Sequence, residues 1–195
     1  MANPSLQHTG TLKRILQYLA GTKTYRITYT ALPNKNRETN LFHGYADASL
    51  ANVEGCKSTS RYVFLEGGGA ITWLSKKQSV VALSSTEAEY VALSEAGRKA
   101  CWLRSLYEEL GFKQTHPTLI KSDNNGAIAM AKNPQFHKRA KHIETQWHWI
   151  RDLVKGEIVT IGSCRDADQT TDIFTKALGR PKHRQHMEEM GLVPT

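Results

Sequence analysis

The segment Ser84–Ala96, SSTEAEYVALSEA, sets two glutamates two positions apart at a helix start. Ser84 with Glu87, and Thr86 with Glu89, both fit the S/T-x-x-E capping pattern, so capping alone does not separate them. Helical periodicity does. Steps of 3, 4, 7, 11 and 14 from Glu89 reach Ala92, Leu93, Ala96, Ala100 and Leu103, all apolar. The same steps from Glu87 reach Tyr90, Val91, Ser94, Arg98 and Cys101, a face that turns polar. Glu87 is therefore the capping residue on the outer side, and Glu89 shares the face that packs on a sheet. A carboxylate there is unfavourable unless it is protonated, paired or bound to a metal ion. The helix is expected from about Ser85 to Leu110, closed by Gly111.

The flanking pattern supplies the sheet. LFHGYADAS (41–49) reads as a strand ending in Asp47, and residues 56–78 as two strands joined by the turn Gly67-Gly68-Gly69. PTLIKSD (117–123) is a buried strand ending in Asp123. NNGAIAMAKNP is a short helix stopped by Pro134, HIETQWHWIRDLVKGE a further helix, and IVTIGSC a strand. DQTTDIFTKAL (168–178) is a last helix, with Asp168 as its N-cap and Asp172 one turn in. The order β-β-β-α-β-α-α-β-α predicts an α/β fold with a mixed sheet and helices on its faces. Upstream, residues 9–20 form an amphipathic helix ended by Gly21, residues 25–32 a short strand and residues 33–40 a polar linker. The residues after Leu178 are expected as a short exposed helix or a frayed end.

Composition narrows the function classes. The chain has 195 residues, 39% of them hydrophobic, enough for a core. It contains no apolar run long enough to span a bilayer, and its first residues, MANPSLQHTG, carry no apolar signal core. Three distant cysteines argue against a disulfide framework and a cysteine-based zinc site, and favour a reducing, intracellular setting. The net charge of +8 suits a polyanionic partner. His137, His142 and His148 match no zinc signature.

Four carboxylates are candidates to converge: Asp47, Glu89, Asp123 and Asp172. Each has a simpler reading: a strand-end aspartate often caps a turn, and Asp172 suits a helix start as a solvated anion. Together they would repel unless cations compensated them. An all-oxygen donor set suits Mg²⁺, with Mn²⁺ substituting. Two such ions about 3.5–4 Å apart fit in-line attack on a phosphodiester, one activating water and the other stabilising the leaving 3′ oxygen.

The motifs GYADAS, KSTSRYVF, GGGAITWLSKKQSVVALSSTEAEYVALSEA, WLRSLYEELG, SDNNGAIAMAKNP, FHKRAKHIE and DQTTDIFTKAL together resemble the ribonuclease H domain of copia-type retrotransposon Pol polyproteins. The resemblance covers about residues 42–180. Residues 8–30 resemble the segment joining reverse transcriptase to that domain. It implies three regions: 1–40 derived from the reverse transcriptase connection, 41–180 a ribonuclease H domain, and 181–195 a C-terminal tail. It implies a ribonuclease H-like fold, a mixed five-stranded sheet flanked by helices, and cleavage of the RNA strand of RNA–DNA hybrids during reverse transcription. The family's carboxylates carry over onto Asp47, bridging both ions, Glu89 and Asp123, completing one site, and Asp172, completing the other. The glutamate comes second among the acids, which favours ribonuclease H over integrase-like relatives. The partners implied are an RNA–DNA hybrid and the polymerase domain of the same polyprotein, with no membrane, inside a cytoplasmic virus-like particle or the nucleus. Two departures stand out. The loop GSCRDA lacks the histidine that many cellular relatives carry, and Arg61 stands where the family usually has glycine. A decayed or domesticated module that binds nucleic acid or protein is the alternative.

Hybrid duplexes are read through phosphates and 2′-hydroxyls. Ser49, Ser85, Thr86, Asn124 and Asn125 flank the acids and are candidates to contact those groups, with turn formation or helix capping as the competing role. Lys76, Lys77, Lys138, Arg139 and Lys141 are candidates to hold phosphates, with solubility as theirs.

Overall fold

A computed structural model of the chain describes residues 5–30, 42–53, 56–133 and 145–194. The linker expected at 33–40 and the basic residues Lys138, Arg139 and Lys141 lie outside those residues.

Its centre is a five-stranded mixed sheet of order β4-β3-β2-β5-β6. The strands are β2 (Phe42–Val53), β3 (Lys57–Glu66), β4 (Gly69–Lys77), β5 (Thr118–Ser122) and β6 (Val159–Ser163). β2, β3 and β4 form an antiparallel meander, and β5 and β6 add in parallel. Helices α2 (Ser85–Glu109), α3 (Asn125–Lys132) and α4 (Thr145–Lys155) pack together on one face. This is the ribonuclease H-like architecture expected above.

The principal core lies between the sheet and α2, where Phe42, Ala46, Phe64, Ile120 and Ile161 meet Leu93, Ala96, Ala100 and Leu103. α2 is covered from both sides. Ile150 and Leu153 of α4 press on Gly97, where an added Cβ would stand 2.6 Å from Ile150 Cδ1. Tyr90, Val91 and Ser94 are consequently buried as well, although they follow Glu87 by helical steps. The polar character of that face begins only at Arg98.

Three expectations are corrected. Asp47 does not end its strand, because β2 continues to Val53 and Asp47 pairs with Arg61 of β3 in mid-ladder. Residues 168–178 do not form an α-helix. Two 3₁₀ turns, Asp166–Asp168 and Thr170–Phe174, take their place. Thr170, Thr171 and Ile173 are β-branched and resist the helix. Buried Gln169 also anchors the segment, donating from Nε2 to the Ala46 carbonyl (3.2 Å) and accepting from Thr171 Oγ1 (3.1 Å).

The third correction concerns residues 179–194, where the expected short helix forms but is neither frayed nor wholly exposed. α5 (Arg180–Glu189) buries His186 and Met187. Met190 joins Val63, Leu65 and Ala70 in a second cluster, on the side of β3 away from α2. β7 (Leu192–Pro194) pairs antiparallel with β1 (Tyr25–Ile27), which follows α1 (Leu6–Gly21). The two flanking segments are thus tied to each other. Hydrogen bonds from Ala70 N–H to the Met190 carbonyl (2.9 Å) and from Thr30 N–H to the Gly67 carbonyl (2.7 Å) tie them to the β3–β4 hairpin.

Candidate functional site

Strand register brings the first two acids level. β2 and β5 run parallel with Gly44 beside Ile120 and Tyr45 beside Lys121; two residues past Tyr45 lies Asp47, and two past Lys121, just beyond the end of β5, lies Asp123. Glu89 enters from the first turns of α2. Ser84 caps that helix, accepting from Glu87 N–H at 3.2 Å, and Glu87 turns its carboxylate back to accept from Leu83 N–H at 2.7 Å. Glu87 is the capping residue, as the periodicity predicts. Glu89 is buried, at 5% exposure. Ala48 N–H donates to both Asp47 Oδ1 (2.7 Å) and Glu89 Oε1 (3.1 Å), clamping the two carboxylates together.

Asp47, Glu89 and Asp123 each offer an oxygen within 4.8 Å of the others. Glu89 Oε2 is buried without a hydrogen-bond partner. Three carboxylates with oxygens this close, together with a buried Glu89 oxygen that lacks a partner, fit a hard divalent cation. Without a cation the group is electrostatically frustrated. Burial, together with the neighbouring Asp47, pushes the Glu89 carboxyl up to about 10. Burial and Asp47 also raise Asp123.

The shift at Glu89 makes a prediction about the metal-free protein. The folded state holds a proton that the unfolded chain releases above about 4.5. Glu89 therefore favours folding most below that pH, and its contribution is lost as pH rises toward about 10. Glu89→Gln mimics the protonated form. With chelator present, it is expected to raise unfolding free energy at about pH 7 by on the order of 3 kcal/mol. The gain should shrink toward about pH 4. Urea titrations of both proteins across that range check it, and equal stability at neutral pH would mean that Glu89 is ionised in the fold.

Asp172 lies apart from the triad in its bonding. It is fully buried, not the solvated anion of a helix start, and three cations surround it. Lys176 Nζ is 2.7 Å from Oδ1, Lys182 Nζ 3.3 Å from Oδ2 and Arg61 Nη1 3.8 Å from Oδ1. Asp168 caps nothing: its carboxylate pairs with Arg165 in solvent.

Lys176 and Lys182 are neighbours of Asp172 that the sequence reading missed, and Arg61, noted there only as a departure from the family's glycine, proves to be another. The available signal was an arginine inside STSRYVFLE, since a charge on a buried strand must find a partner. Arg61 has the strand parity of Val63 and Leu65, so it points to the face covered by the 3₁₀ segment. There it is 1% exposed, pairs with Asp47 Oδ2 and donates to Thr175 Oγ1.

The other candidate contact residues divide. Asn124 caps α3, its Oδ1 accepting from Ala127 N–H at 2.9 Å, and Thr86 Oγ1 lies 3.5 Å from the same oxygen. Ser49 Oγ meets Thr175 Oγ1 at 3.3 Å. Ser85 and Asn125 are exposed at the starts of α2 and α3, on the edge of the acidic site. Lys76 and Lys77 are exposed at the end of β4, one and two residues past Ser75, which stands in the ladder row of Asp47 and Arg61. A cleft of about 500 Å³ between α3 and α4 is lined by Lys132, His148, Arg151 and Lys155 but by none of the four acids.

No family model matches the chain. It is 35% identical over 193 residues, 98% of its length, to the retrovirus-related Pol polyprotein from transposon TNT 1-94 of Nicotiana tabacum, and spans 14% of that protein. It is 48% identical over 103 residues, 52% of its length, to the secreted RxLR effector protein 161 of Plasmopara viticola, and spans 69% of that protein. Among solved structures, the N-terminal RNase H domain from Mycobacterium tuberculosis, fused to maltose binding protein, matches 75% of this chain and 96% of its own. The identity is 12% and the TM-score 0.44.

Proposed function

We propose, from the premise that this chain belongs with the copia-type retrotransposon Pol polyproteins and is homologous to one segment of them, that it is their hybrid-cleaving nuclease module. It hydrolyses the RNA strand of RNA–DNA hybrids, during reverse transcription, with a divalent cation held by Asp47, Glu89 and Asp123. In this reading residues 41–180 carry the activity, residues 1–40 derive from the polymerase connection, and the place of action is a cytoplasmic virus-like particle or the nucleus. The observation that carries it is the convergence of three carboxylates on one point, with Glu89 Oε2 buried and unpartnered, on a chain with those relatives.

A Mg²⁺ or Mn²⁺ ion bound there supplies charge for the phosphoryl oxygen and a water of lowered pKa. The chain's own residues do the rest. Ala48 N–H holds Asp47 and Glu89 in one orientation relative to each other. Asn124 fixes the start of α3 directly after Asp123. Exposed Ser85 and Asn125 are placed to meet 2′-hydroxyls or phosphates beside the acids, and Lys76 and Lys77 to hold the backbone further along the sheet. The polymerase domain of the same polyprotein would supply further grip on the hybrid.

The test is incubation of the purified chain with a hybrid labelled on its RNA strand, in Mg²⁺ and separately in Mn²⁺. Cleavage should appear, require the metal and vanish in Asp123→Asn. An intact RNA strand in both metals across neutral and alkaline pH would remove this reading. A second reading, a silent module that binds hybrid or protein, is favoured by one observation: the Arg61 guanidinium bonded to Asp47 beside Asp172. Hybrid binding without cleavage would select it.

A further inference from the structure

The carboxylates expected to share two metal ions are not in equivalent surroundings. Among the described residues, no lysine or arginine forms an ion pair with Glu89 or Asp123, whereas Asp47 and Asp172 are joined by one. Arg61 stands opposite Asp47 in the β2–β3 ladder. Its Nη2 pairs with Asp47 Oδ2, and its Nη1 lies 3.8 Å from Asp172 Oδ1 and donates to Thr175 Oγ1. With Lys176 and Lys182 also on Asp172, and Lys176 shared with Asp166 at 3.8 Å, three carboxylates face three cations.

We infer that the Arg61 guanidinium takes the place of the second metal ion between Asp47 and Asp172, so that the chain binds one divalent cation rather than two. A second dication there would enter a pocket whose negative charge is already matched by three cations, at distances where like charges repel strongly even in a screened interior. Nor can an ion readily displace the guanidinium. The side chain is 1% exposed on a strand in the middle of the β2–β3–β4 meander, so expelling it would open the sheet's covered face. A guanidinium places positive charge beside both carboxylates but offers no coordination positions for water or phosphate. The residues present therefore fit one ion and do not fit the other. The inference rests on the metal-site reading of Asp47, Glu89 and Asp123 for the first ion, and concerns the second alone.

Counting Mn²⁺ tests it. The purified full chain is titrated with Mn²⁺, the free ion being read by electron paramagnetic resonance and the stoichiometry repeated by calorimetry. Wild type should bind one ion per chain, and Asp172→Asn should still bind one. Arg61→Gly should bind two, and adding Asp172→Asn to it should return the count to one. The thermal midpoint of Arg61→Gly should also fall in chelator and recover with Mn²⁺ by more than wild type does, because the ion replaces the lost compensation. Two ions on wild type, one of them lost in Asp172→Asn, would overturn the inference and leave the metal-site reading standing. A folded Arg61→Gly that binds a single ion would do the same. No binding at all would overturn both. Should Arg61→Gly fail to fold, the wild-type and Asp172→Asn counts decide the matter alone.

Discussion

Glu89→Gln is expected to lower hybrid cleavage by roughly 10³-fold or more, while Glu87→Gln stays within a few-fold of wild type. The two side chains lie two residues apart on one helix and are chemically identical, yet their surroundings differ completely. Glu89 meets Asp47 and Asp123 around one point, and loss of its charge removes an anionic ligand from a three-carboxylate site. The several kcal/mol of charge stabilisation that a bound cation supplies would go with it. Glu87 accepts from Leu83 N–H at the helix start, where the amide loses only part of a capping interaction. That loss is about 0.5–2 kcal/mol of stability. Single-turnover rates on a labelled hybrid, with both variants checked for folding, measure the difference. Because Glu89→Gln is also expected to be the more stable protein without metal, low activity in it cannot be blamed on unfolding. Equal loss in both variants would show that the helix start as a whole, rather than one carboxylate, is what cleavage needs.

Gly191→Val should destabilise the fold by about 2–5 kcal/mol, a large share of the 5–15 kcal/mol typical of a domain. Gly191 has φ of +73°, which a β-branched residue adopts only with strain. A Cβ there would stand 2.7 Å from both the Gly68 and Thr28 carbonyl oxygens and 2.9 Å from Gly69 Cα, all backbone atoms that cannot swing away. The residue sits where α5 turns into β7, so the strain falls on the β1–β7 pair and on the seat of Met190 against Val63 and Leu65. The same helix holds Lys182 on Asp172 and places His186 Nδ1 2.7 Å from Glu189, whose carboxylate also accepts from Thr170 at 2.9 Å. Loss of the clamp should thus loosen the segment that carries Asp172. Urea denaturation gives the magnitude. Gly10→Ala is the control: nothing lies within 4 Å of its added Cβ, and it should leave global stability unchanged or slightly raised. If Gly191→Val unfolds at the wild-type midpoint, the C-terminal segment does not contribute to the cooperative unit.

The five-stranded sheet and α2, α3 and α4 were legible because each is long enough to show its own period, and because Gly67, Gly111 and Asn124 mark their ends chemically. The last segment was not. DQTTDIFTKAL has a helical hydrophobic spacing, but its shape follows from bonds to distant chain, Gln169 to Ala46 above all. The tail was misread for a similar reason: the hydrophobic partners of Met187 and Met190 lie far back in the sequence, and a local reading sees only a polar decapeptide.

The same division runs through the site. Sequence alone separated Glu89 from Glu87, because the period of one helix is a local property and its apolar face lies within fifteen residues. It also brought Asp47 and Asp123 forward, as acids in otherwise buried strands. Only the tertiary structure decided what each acid faces. Whether Asp47 meets a cation from solvent or from the chain depends on which residue of β3 the hairpin register sets opposite it, and that residue is Arg61. Register is fixed by the whole ladder, and a slip of one residue would have turned the guanidinium to the other face. The sequence determined that four carboxylates were candidates; the pairing of β2 with β3, and the 3₁₀ turn laid over them, decided that Asp47, Glu89 and Asp123 bring their oxygens together, that Asp47 also pairs with Arg61, and that Asp172 is held by the protein's own cations.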